Sequence, residues 1–292
     1  MNSKTIITEK ELNQLHIIDL ELVCEVDRIC RKNNIEYSLD GGTLLGAIRD
    51  KGIIPWDDDA DIIFTRAEYE KFEVACEKDL NKDKFFFQNY KTDSGYRWRY
   101  AKMRRNGTKF IRPNQEHMNY HNGVFIDIFV LDNVPDNKIL RSLYLGFNHC
   151  TRKMLYSEVG KIEAGSRFIR SWYKVLDRIP KKWIFSMQNT LWNKFNKKPS
   201  ERIYHNGYPY INMPKLKYGV PSYIFSSYTD VYFEGMKMRA VSAYDEYLQL
   251  IYGDYMTPPP VNKRGFNTTF SRLDLIPLTK EEVINEFSEC KW

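Results

Sequence analysis

Four aspartates that lead directly into an apolar segment are the strongest constraint in this sequence. Asp57, Asp58, Asp59 and Asp61 are followed at once by Ile62-Ile63-Phe64. The alternation that turns apolar predicts a strand that begins at Asp59 and enters a core. Because alternate side chains of a strand share a face, the three odd-numbered aspartates are expected to converge while Asp58 points away. Converging carboxylates repel one another unless a cation lies among them.

A glycine-rich turn upstream of the aspartates supplies a second element. Gly41-Gly42-Thr43 lies between a predicted strand at 35–39 and a predicted short helix at 44–49. Glycines let the backbone approach a ligand closely, and the amides at a helix start favour an anion such as phosphate. Clustered carboxylate oxygens suit Mg²⁺ or Mn²⁺, with phosphate oxygens completing the shell. Together these features indicate a phosphoryl-transfer site, the alternative being a solvated acidic turn.

Asp127 interrupts the most apolar segment of the chain, Val124 to Leu131. On a strand it would share a face with Phe125 and Phe129. An ionised carboxylate in such surroundings is costly unless it has a partner. Two partners are open, a salt bridge to Arg or Lys and a metal shared with the upstream aspartates. The acidic run favours the metal.

Periodicity and capping patterns predict an α+β catalytic core over residues 10–135, built around a mixed sheet. Thr8 and Glu11 form a capping-box pattern that begins a long amphipathic helix, and Thr65 with Glu68 forms a second one. Strand patterns cover 84–90, 96–103, 108–112 and 124–131.

Residues 136–292 are predicted to form a helical basic subdomain and a C-terminal closing segment packed on the core. Helical periodicity covers 138–157, 165–178 and 181–195. A hairpin is predicted to turn at Glu234-Gly235, and a final helix is predicted at 243–252.

Positive charge is concentrated in residues 138–198, which contain 14 Lys and Arg residues but three Glu and Asp. Since the whole chain has a formal net charge of +6, the remainder is acidic. Three interpretations are open: a solvated helix face, peripheral contact with an anionic membrane that presents a lipid-linked acceptor, and nucleic-acid binding. No base-stacking or groove-reading motif accompanies the charge, which argues against nucleic acid.

Composition excludes several other classes of protein. Apolar residues make up 42% of the chain, enough for a packed core, and no apolar run is long enough to span a bilayer. Acidic residues near the start argue against a secretory signal, and the five scattered cysteines fit a reducing compartment. The expected location is the cytoplasm, with peripheral contact at the inner face of the membrane.

Four motifs, GGTLLGAIR, IPWDDDADI, GVFIDIFVLDNVP and YGDYMTPPP, follow one another in a chain segment that extends from about residue 10 to about residue 265. In this order they resemble the LicD family, which includes bacterial phosphocholine transferases and is related to the fukutin-related proteins. The resemblance implies a nucleotidyltransferase-like fold. It also implies transfer of a phospho-alcohol, phosphocholine or a polyol phosphate, from a CDP-alcohol donor. The implied acceptor is an anionic or lipid-linked cell-surface glycan: teichoic acid, lipopolysaccharide or capsule.

The resemblance carries family roles onto particular residues of this chain. Three sets match: the glycine turn at Gly41, Gly42 and Thr43, the acidic run at Asp57, Asp58, Asp59 and Asp61, and the third carboxylate at Asp127. Asp59, Asp61 and Asp127 are the implied ligands of Mg²⁺ or Mn²⁺. The other two aspartates are the implied further catalytic carboxylates.

Nearby cations are candidates for contacts with phosphate. Arg49, at the end of the short helix behind the glycine turn, is expected to neutralise phosphate, the alternative being a salt-bridged surface residue. Lys102, Arg104 and Arg105 are candidates for binding the donor diphosphate or an anionic acceptor, the alternative being a solvated strand edge. The family pattern has an acid where this chain has Arg105, a difference that bears on the transferred group.

Three other functions are open from the sequence. A true nucleotidyltransferase would deposit the nucleotide itself on its acceptor. A metal-dependent glycosyltransferase would use the Asp-x-Asp pair but would not require the glycine turn. A non-enzymatic protein would bind Ca²⁺ through the acidic loop and tolerate loss of the glycines.

Overall fold

The computed structural model describes residues 5–207, 213, 215–264 and 268–288. Within these ranges the chain forms nine α-helices and thirteen strands, a mixed α/β structure. None of these helices is long and apolar enough to cross a membrane. The four cysteines in the described ranges are free thiols, as their scattered spacing predicts, and Cys290 lies outside those ranges.

The first long helix forms where the capping box predicts it. α1 spans Glu9–Lys32; the Glu11 N–H donates to Thr8 Oγ1 at 3.3 Å, and the Glu11 carboxylate accepts from the Thr8 N–H at 2.8 Å. These bonds satisfy amides that the first helical turn leaves without an intrahelical acceptor. The helix buries an apolar stripe that includes Leu15, Ile18 and Leu22 and packs on the sheet.

A mixed sheet forms the centre of the fold, as predicted. In sheet order its strands are β2 (Ser38–Leu39), β3 (Asp61–Thr65), β7 (Phe125–Asn133), β5 (Ala101–Arg105) and β4 (Phe85–Gln88). β3 and β7 are parallel, whereas the other neighbouring pairs are antiparallel. Two strands from beyond residue 135 extend this sheet: β8 (Arg202–His205) pairs with β7, and β9 (Val220–Pro221) pairs with β8.

The helix after the glycine turn begins earlier than predicted. α2 spans Gly41–Arg49, so Gly41-Gly42-Thr43 is its first turn and not a separate loop. Asp40 occupies the N-cap position with an extended backbone, and Gly41 has a φ of 51°, a conformation that favours glycine.

The predicted second capping box is wrong. α3 spans Arg66–Asp79, but the Thr65 side chain makes no capping hydrogen bond. Glu68 instead accepts from the Glu36 N–H at 3.0 Å and from Lys71 at 2.7 Å. The Glu68 carboxylate therefore contacts the segment before β2 and does not cap its own helix.

The basic segment is helical, as predicted. Its helices are α4 (Lys138–Leu155), α5 (Ser157–Glu163), α6 (Arg167–Leu176) and α7 (Lys181–Phe195). Several large apolar side chains on these helices are exposed: Ile139, Leu143, Phe168, Trp172 and Trp183. The surface of residues 138–198, here called the basic helical segment, thus combines positive charge with exposed aromatic and aliphatic groups.

The C-terminal part of the chain returns to the core at several places. The predicted hairpin is confirmed, since β10 (Tyr228–Phe233) and β11 (Met236–Val241) pair around Glu234-Gly235. α8 spans Tyr244–Tyr252, but it is not the final helix, because α9 (Lys280–Ser288) follows and packs against α1. Two short strands also pair with earlier ones: β12 (Thr269–Phe270) with β1 (Thr5–Ile6), and β13 (Arg272–Asp274) with β6 (Lys109–Ile111).

Candidate active site

Parallel pairing of β3 and β7 brings two of the predicted carboxylates together. Asp61, the first residue of β3, lies opposite Asp127 on β7, and the Asp127 N–H donates to the Ala60 carbonyl at 3.0 Å. Ile62 and Ile63 continue the pairing inside the core with no exposed surface. A one-residue slip would turn these apolar side chains to the other face, so the buried strand fixes the position of both acids.

The first turn of α2 packs directly against the aspartates. The Asp61 N–H donates to Thr43 Oγ1 at 2.8 Å. A Cβ placed on Gly42 would overlap the Asp57 carboxylate, and one on Gly41 would lie 3.3 Å from Asp61 Oδ2. These glycines therefore make room for the carboxylates themselves, a role that the sequence pattern did not predict.

Asp57, Asp58 and Asp59 form the acidic cluster. Each offers a carboxylate oxygen that lies within 4.8 Å of those of the other two. The prediction that Asp58 points away is wrong, because residues 57–60 form a loop and β3 begins only at Asp61. The alternation of a strand therefore does not apply to the loop. His16 of α1 holds it through a 2.7 Å contact between Nε2 and the Asp57 carbonyl.

Burial and mutual repulsion disfavour the ionised forms of these carboxylates. Burial, and then the charge of Asp58, raises the pKa of Asp57 to about 6. Burial, followed by the charges of Asp57 and Asp58, raises the pKa of Asp59 to about 7. Burial and the charge of Asp59 raise the pKa of Asp61 well above that of an ordinary Asp, and its Oδ1 is buried with no hydrogen-bond partner among the described residues. These groups would be stabilised by positive charge among them.

Asp127 has a protein partner, the salt bridge that the sequence left open as an alternative to a metal. Its carboxylate pairs with the ammonium group of Lys102 on β5, and both side chains are largely buried. Burial lowers the pKa of Lys102 to about 7, although Asp127 opposes that shift. The part of Asp127 in metal binding stays a prediction.

Asp19 is a further carboxylate that the sequence patterns did not single out. It is fully buried in α1, and neither carboxylate oxygen has a hydrogen-bond partner within the described ranges. Burial, and then the charges of Asp59 and Asp58, raises its pKa well above the ordinary value. One sequence feature could have indicated that Asp19 is buried. It lies four residues after Leu15 and three before Leu22, and therefore on the apolar face of the helix.

Basic side chains line a small cavity beside the acidic cluster. This cavity of about 60 Å³ has cations and aromatic rings in its wall, among them Lys102, Arg104, Arg112, Trp98, Tyr100 and Phe125. A smaller cavity shares Arg112 and Phe125 with it and is also lined by Asp58 and Asp59. Cations suited to phosphate therefore lie next to carboxylates suited to a metal. Sequence reasoning missed Arg112.

All four of the predicted phosphate contacts have protein partners. Lys102 pairs with Asp127, and Arg104 donates to the Gln88 side-chain oxygen and to the Gly123 carbonyl, each at 2.5 Å.

Arg49 pairs with Asp50 at 2.8 Å and donates to the Tyr255 carbonyl at 3.4 Å. Arg105 pairs with Glu21 of α1 at 2.6 Å. This ion pair gives a structural reason for a basic residue where the family pattern has an acid. The roles of Arg49 and Arg105 toward phosphate stay predictions.

The donor set fits a hard divalent cation. It consists of the carboxylate oxygens of Asp57, Asp58 and Asp59, and burial raises the pKa of Asp57 and of Asp59. Asp61 lies outside this group of three, and its buried Oδ1 has no hydrogen-bond partner among the described residues. Such oxygens suit Mg²⁺ or Mn²⁺. Asp59, Asp61 and Asp127 stay the predicted ligands, and the geometry adds Asp57 and Asp58 as neighbours that share one compact cluster with Asp59.

The fold and site define a mixed α/β protein with a carboxylate cluster next to a basic cavity, the arrangement that phosphoryl transfer requires. Residues 34–151 match the family described as LicD/FKTN/FKRP, nucleotidyltransferase domain. This match agrees with the resemblance to the LicD family that the four motifs indicated, and the enzyme class that the similarity supports is that of a phosphotransferase.

Curated relatives extend the similarity beyond that domain. The chain is 28% identical over 271 residues to the lipopolysaccharide cholinephosphotransferase LicD of Haemophilus influenzae, covering 88% of this chain and 94% of the relative. Short matches to uncharacterized proteins of Rickettsia typhi (46% identity) and Rickettsia prowazekii (52%) cover 19% and 14% of this chain, and 17% and 16% of those relatives.

Proposed function

We propose that this protein transfers phosphocholine, or a related polyol phosphate, from a CDP-activated donor to a cell-surface glycan. Lipopolysaccharide is the preferred acceptor, because the relative matched over 94% of its length is named for that reaction; teichoic acid and capsule are the other candidates. The observation that carries the proposal is the acidic cluster beside the basic cavity, inside a chain matched along most of its length. The core is proposed to be nucleotidyltransferase-like.

In the proposed site, carboxylates bind the metal and cationic side chains contact the donor's phosphates. Asp59, Asp61 and Asp127 would hold Mg²⁺ or Mn²⁺, which when bound supplies positive charge to phosphate oxygens. Lys102 and Arg112, which line the basic cavity, would contact the donor's phosphates. Gly41 and Gly42 keep the first turn of α2 close to the carboxylates, so that the cluster stays compact.

The proposed reaction is an in-line displacement at the phosphorus bonded to the small alcohol. An acceptor hydroxyl forms a new P–O bond there, and the bond from that phosphorus to the CMP oxygen breaks, so CMP leaves with the electron pair. The hydroxyl proton passes to a carboxylate, with Asp57 and Asp58 as the candidates. A pKa of about 6 leaves Asp57 mostly ionised at neutral pH and able to accept a proton.

Peripheral membrane contact is part of the proposal. The basic helical segment exposes Phe168, Trp172 and Trp183 on helices rich in Lys and Arg. Aromatic groups that enter the headgroup region and cations that attract anionic lipid act together at a membrane surface. A lipid-linked acceptor would be presented to the site there, at the inner face of the membrane.

The second candidate function is a true nucleotidyltransferase, favoured by the match of residues 34–151 to a family described as a nucleotidyltransferase domain. Product analysis separates the two. The enzyme is incubated with Mg²⁺, a lipopolysaccharide acceptor and CDP-choline or a CDP-polyol, and separately with CTP, ATP and UTP. The proposal expects CMP from a CDP-alcohol and no pyrophosphate from any triphosphate. Pyrophosphate release coupled to nucleotide on the acceptor would favour the second candidate.

A further inference from the structure

A series of cavities leads from the acidic cluster toward the basic helical segment. Trp98 and Tyr100 line the cavity of about 60 Å³ and also a second one of about 190 Å³. The second shares Arg99 and Arg152 with a third of about 320 Å³. The shared walls connect the candidate active site with the surface of α4.

Arg99 and Arg152 line both larger cavities, and the acidic residue whose charge acts on Arg99, Asp132, is itself paired with Arg66. The described residues that line the two cavities include no Asp or Glu. Arg99 donates to the neutral Asn148 Oδ1 at 2.9 Å, while the Nε of Arg152 is buried with no hydrogen-bond partner in the described part of the chain. Burial, and then the charge of Arg152, lowers the pKa of Arg99 to about 10.

A third arginine of the 190 Å³ cavity provides the contrast. Arg97 pairs with Glu158 and Asp177, each at 2.9 Å. A buried guanidinium nitrogen without such pairing is costly, and a second positive charge in the same cavity adds to that cost. The planar forks of two arginines are well matched to phosphate or carboxylate oxygens, which would supply the missing charge and acceptors.

We propose that Arg99 and Arg152 bind a phosphate or carboxylate group carried by the acceptor glycan, and that they make the enzyme prefer acidic acceptors. The donor's own phosphates are expected at Lys102 and Arg112, beside the carboxylates. The arginine pair lies beyond Trp98 and Tyr100, on the side of the basic helices where a membrane-presented acceptor would enter. The acceptor assignment rests on the proposed transfer reaction, whereas anion binding does not.

The first test measures anion binding without any turnover. Inorganic phosphate is titrated into the full-length protein while its melting temperature is followed. Wild type is expected to be stabilised by phosphate, Arg152→Gln to lose part of that stabilisation because Lys102 and Arg112 remain, and Arg152→Lys to lose less of it than Arg152→Gln. Lys78→Gln, which removes one exposed charge from α3, is the control and should behave as wild type. Because Arg152→Gln relieves repulsion, its melting temperature without phosphate should not fall.

The second test measures acceptor preference in the transfer assay, with a soluble lipopolysaccharide oligosaccharide before and after removal of its phosphate and acidic sugar groups. Arg152→Gln is expected to raise KM for the acidic acceptor about tenfold, with kcat and the donor KM unchanged, and to leave the kinetics with the neutral acceptor unaffected.

The two tests can each contradict a different part of the proposal. Phosphate stabilisation that is absent from wild type, or equal in wild type and Arg152→Gln, overturns the anion site. A rise in donor KM, or equal effects on both acceptors, overturns the acceptor assignment. If no acceptor is modified at all, the proposed function fails while the phosphate titration still decides on the site.

Discussion

Asp61 and Asp127 lie side by side on the parallel strands β3 and β7, yet among the described residues only Asp127 has a partner of opposite charge. Asp127 pairs with Lys102, whereas Oδ1 of Asp61 is buried with no hydrogen-bond partner within the described ranges. Backbone pairing thus holds a satisfied and an unsatisfied carboxylate at neighbouring positions. A cation added to this site would be attracted first by Asp61 and the acidic cluster beside it.

Neutralising Asp61 is expected to abolish turnover and to remove the response to Mg²⁺. Asp61→Asn deletes the charge but keeps the shape, so its melting temperature in EDTA should equal or exceed that of wild type, since an uncompensated buried charge is lost. Mg²⁺ should raise the melting temperature of wild type but not of the variant. The same result is expected for Asp59→Asn.

Asp50→Asn is the matched control, because Asp50 pairs with Arg49 outside the acidic cluster. It should retain the stabilisation by Mg²⁺. Retained turnover in both Asp59→Asn and Asp61→Asn would contradict the assignment of these two residues to the metal.

A methyl group at Gly42 is expected to disrupt the site with little effect on the rest of the fold. It would overlap the Asp57 carboxylate, the movable end of a side chain, so Asp57 would be pushed out of the cluster. Gly42→Ala should lower kcat by at least tenfold, an effect of about 1.4 kcal/mol or more on the barrier. Gly146→Ala in α4, where an added Cβ meets nothing within 4 Å, is the control and should leave kcat unchanged. Full activity in Gly42→Ala would contradict the role of the glycines in the site.

Stability in the absence of metal is expected to fall as pH rises from about 4 to about 7. Asp59 has a pKa of about 7 in the folded protein, against 3.8 for an ordinary Asp, with burial as the main cause. Between these values the folded chain holds a proton that the unfolded chain has released, so the free energy of unfolding decreases with pH and levels off above about 7.

The measurement is the melting temperature in EDTA across this pH range for wild type and Asp59→Asn. The variant should show a shallower decline, and saturating Mg²⁺ should flatten the wild-type curve, because bound cation keeps the carboxylates ionised. Identical slopes for wild type and Asp59→Asn would contradict the raised pKa.

Much of the architecture could be predicted because it depends on local patterns. The capping box at Thr8 and Glu11, the individual strands of the sheet and the hairpin at Glu234-Gly235 follow from short-range spacing. The errors arise where tertiary contacts override such spacing. Glu68 contacts the Glu36 backbone, not the start of its own helix.

The candidate site was predictable as a set of residues but not as a geometry. Clustering of the aspartates was visible in the sequence, whereas the position of Asp58 depended on where β3 begins. The partner of Asp127 could not be chosen, because Lys102 reaches it only through the register of β5 on β7. Arg152 comes from a helix far along the chain, and no local pattern connects it with Arg99.

The basic helical segment is expected to bind anionic membranes through charge and exposed aromatic groups together. Phe168 is 82% exposed, so Phe168→Ser should weaken binding to phosphatidylglycerol vesicles several-fold without lowering the melting temperature. Val74→Ser on α3, at an exposed apolar position outside the segment, is the control. Binding should decline as salt rises toward about 0.5 M, where screening is strong. Equal binding to neutral and anionic vesicles, or none to either, would contradict membrane contact.

The bond that breaks in the donor is the central claim, and isotope tracing tests it most directly. CDP-choline labelled with ³²P at the phosphorus bonded to choline is incubated with Mg²⁺, a lipopolysaccharide acceptor and the enzyme. The account predicts that the label moves to the glycan together with choline, that unlabelled CMP is released in equal amount, and that Asp127→Asn abolishes both. Label that stays in the soluble fraction while nucleotide appears on the glycan would contradict it.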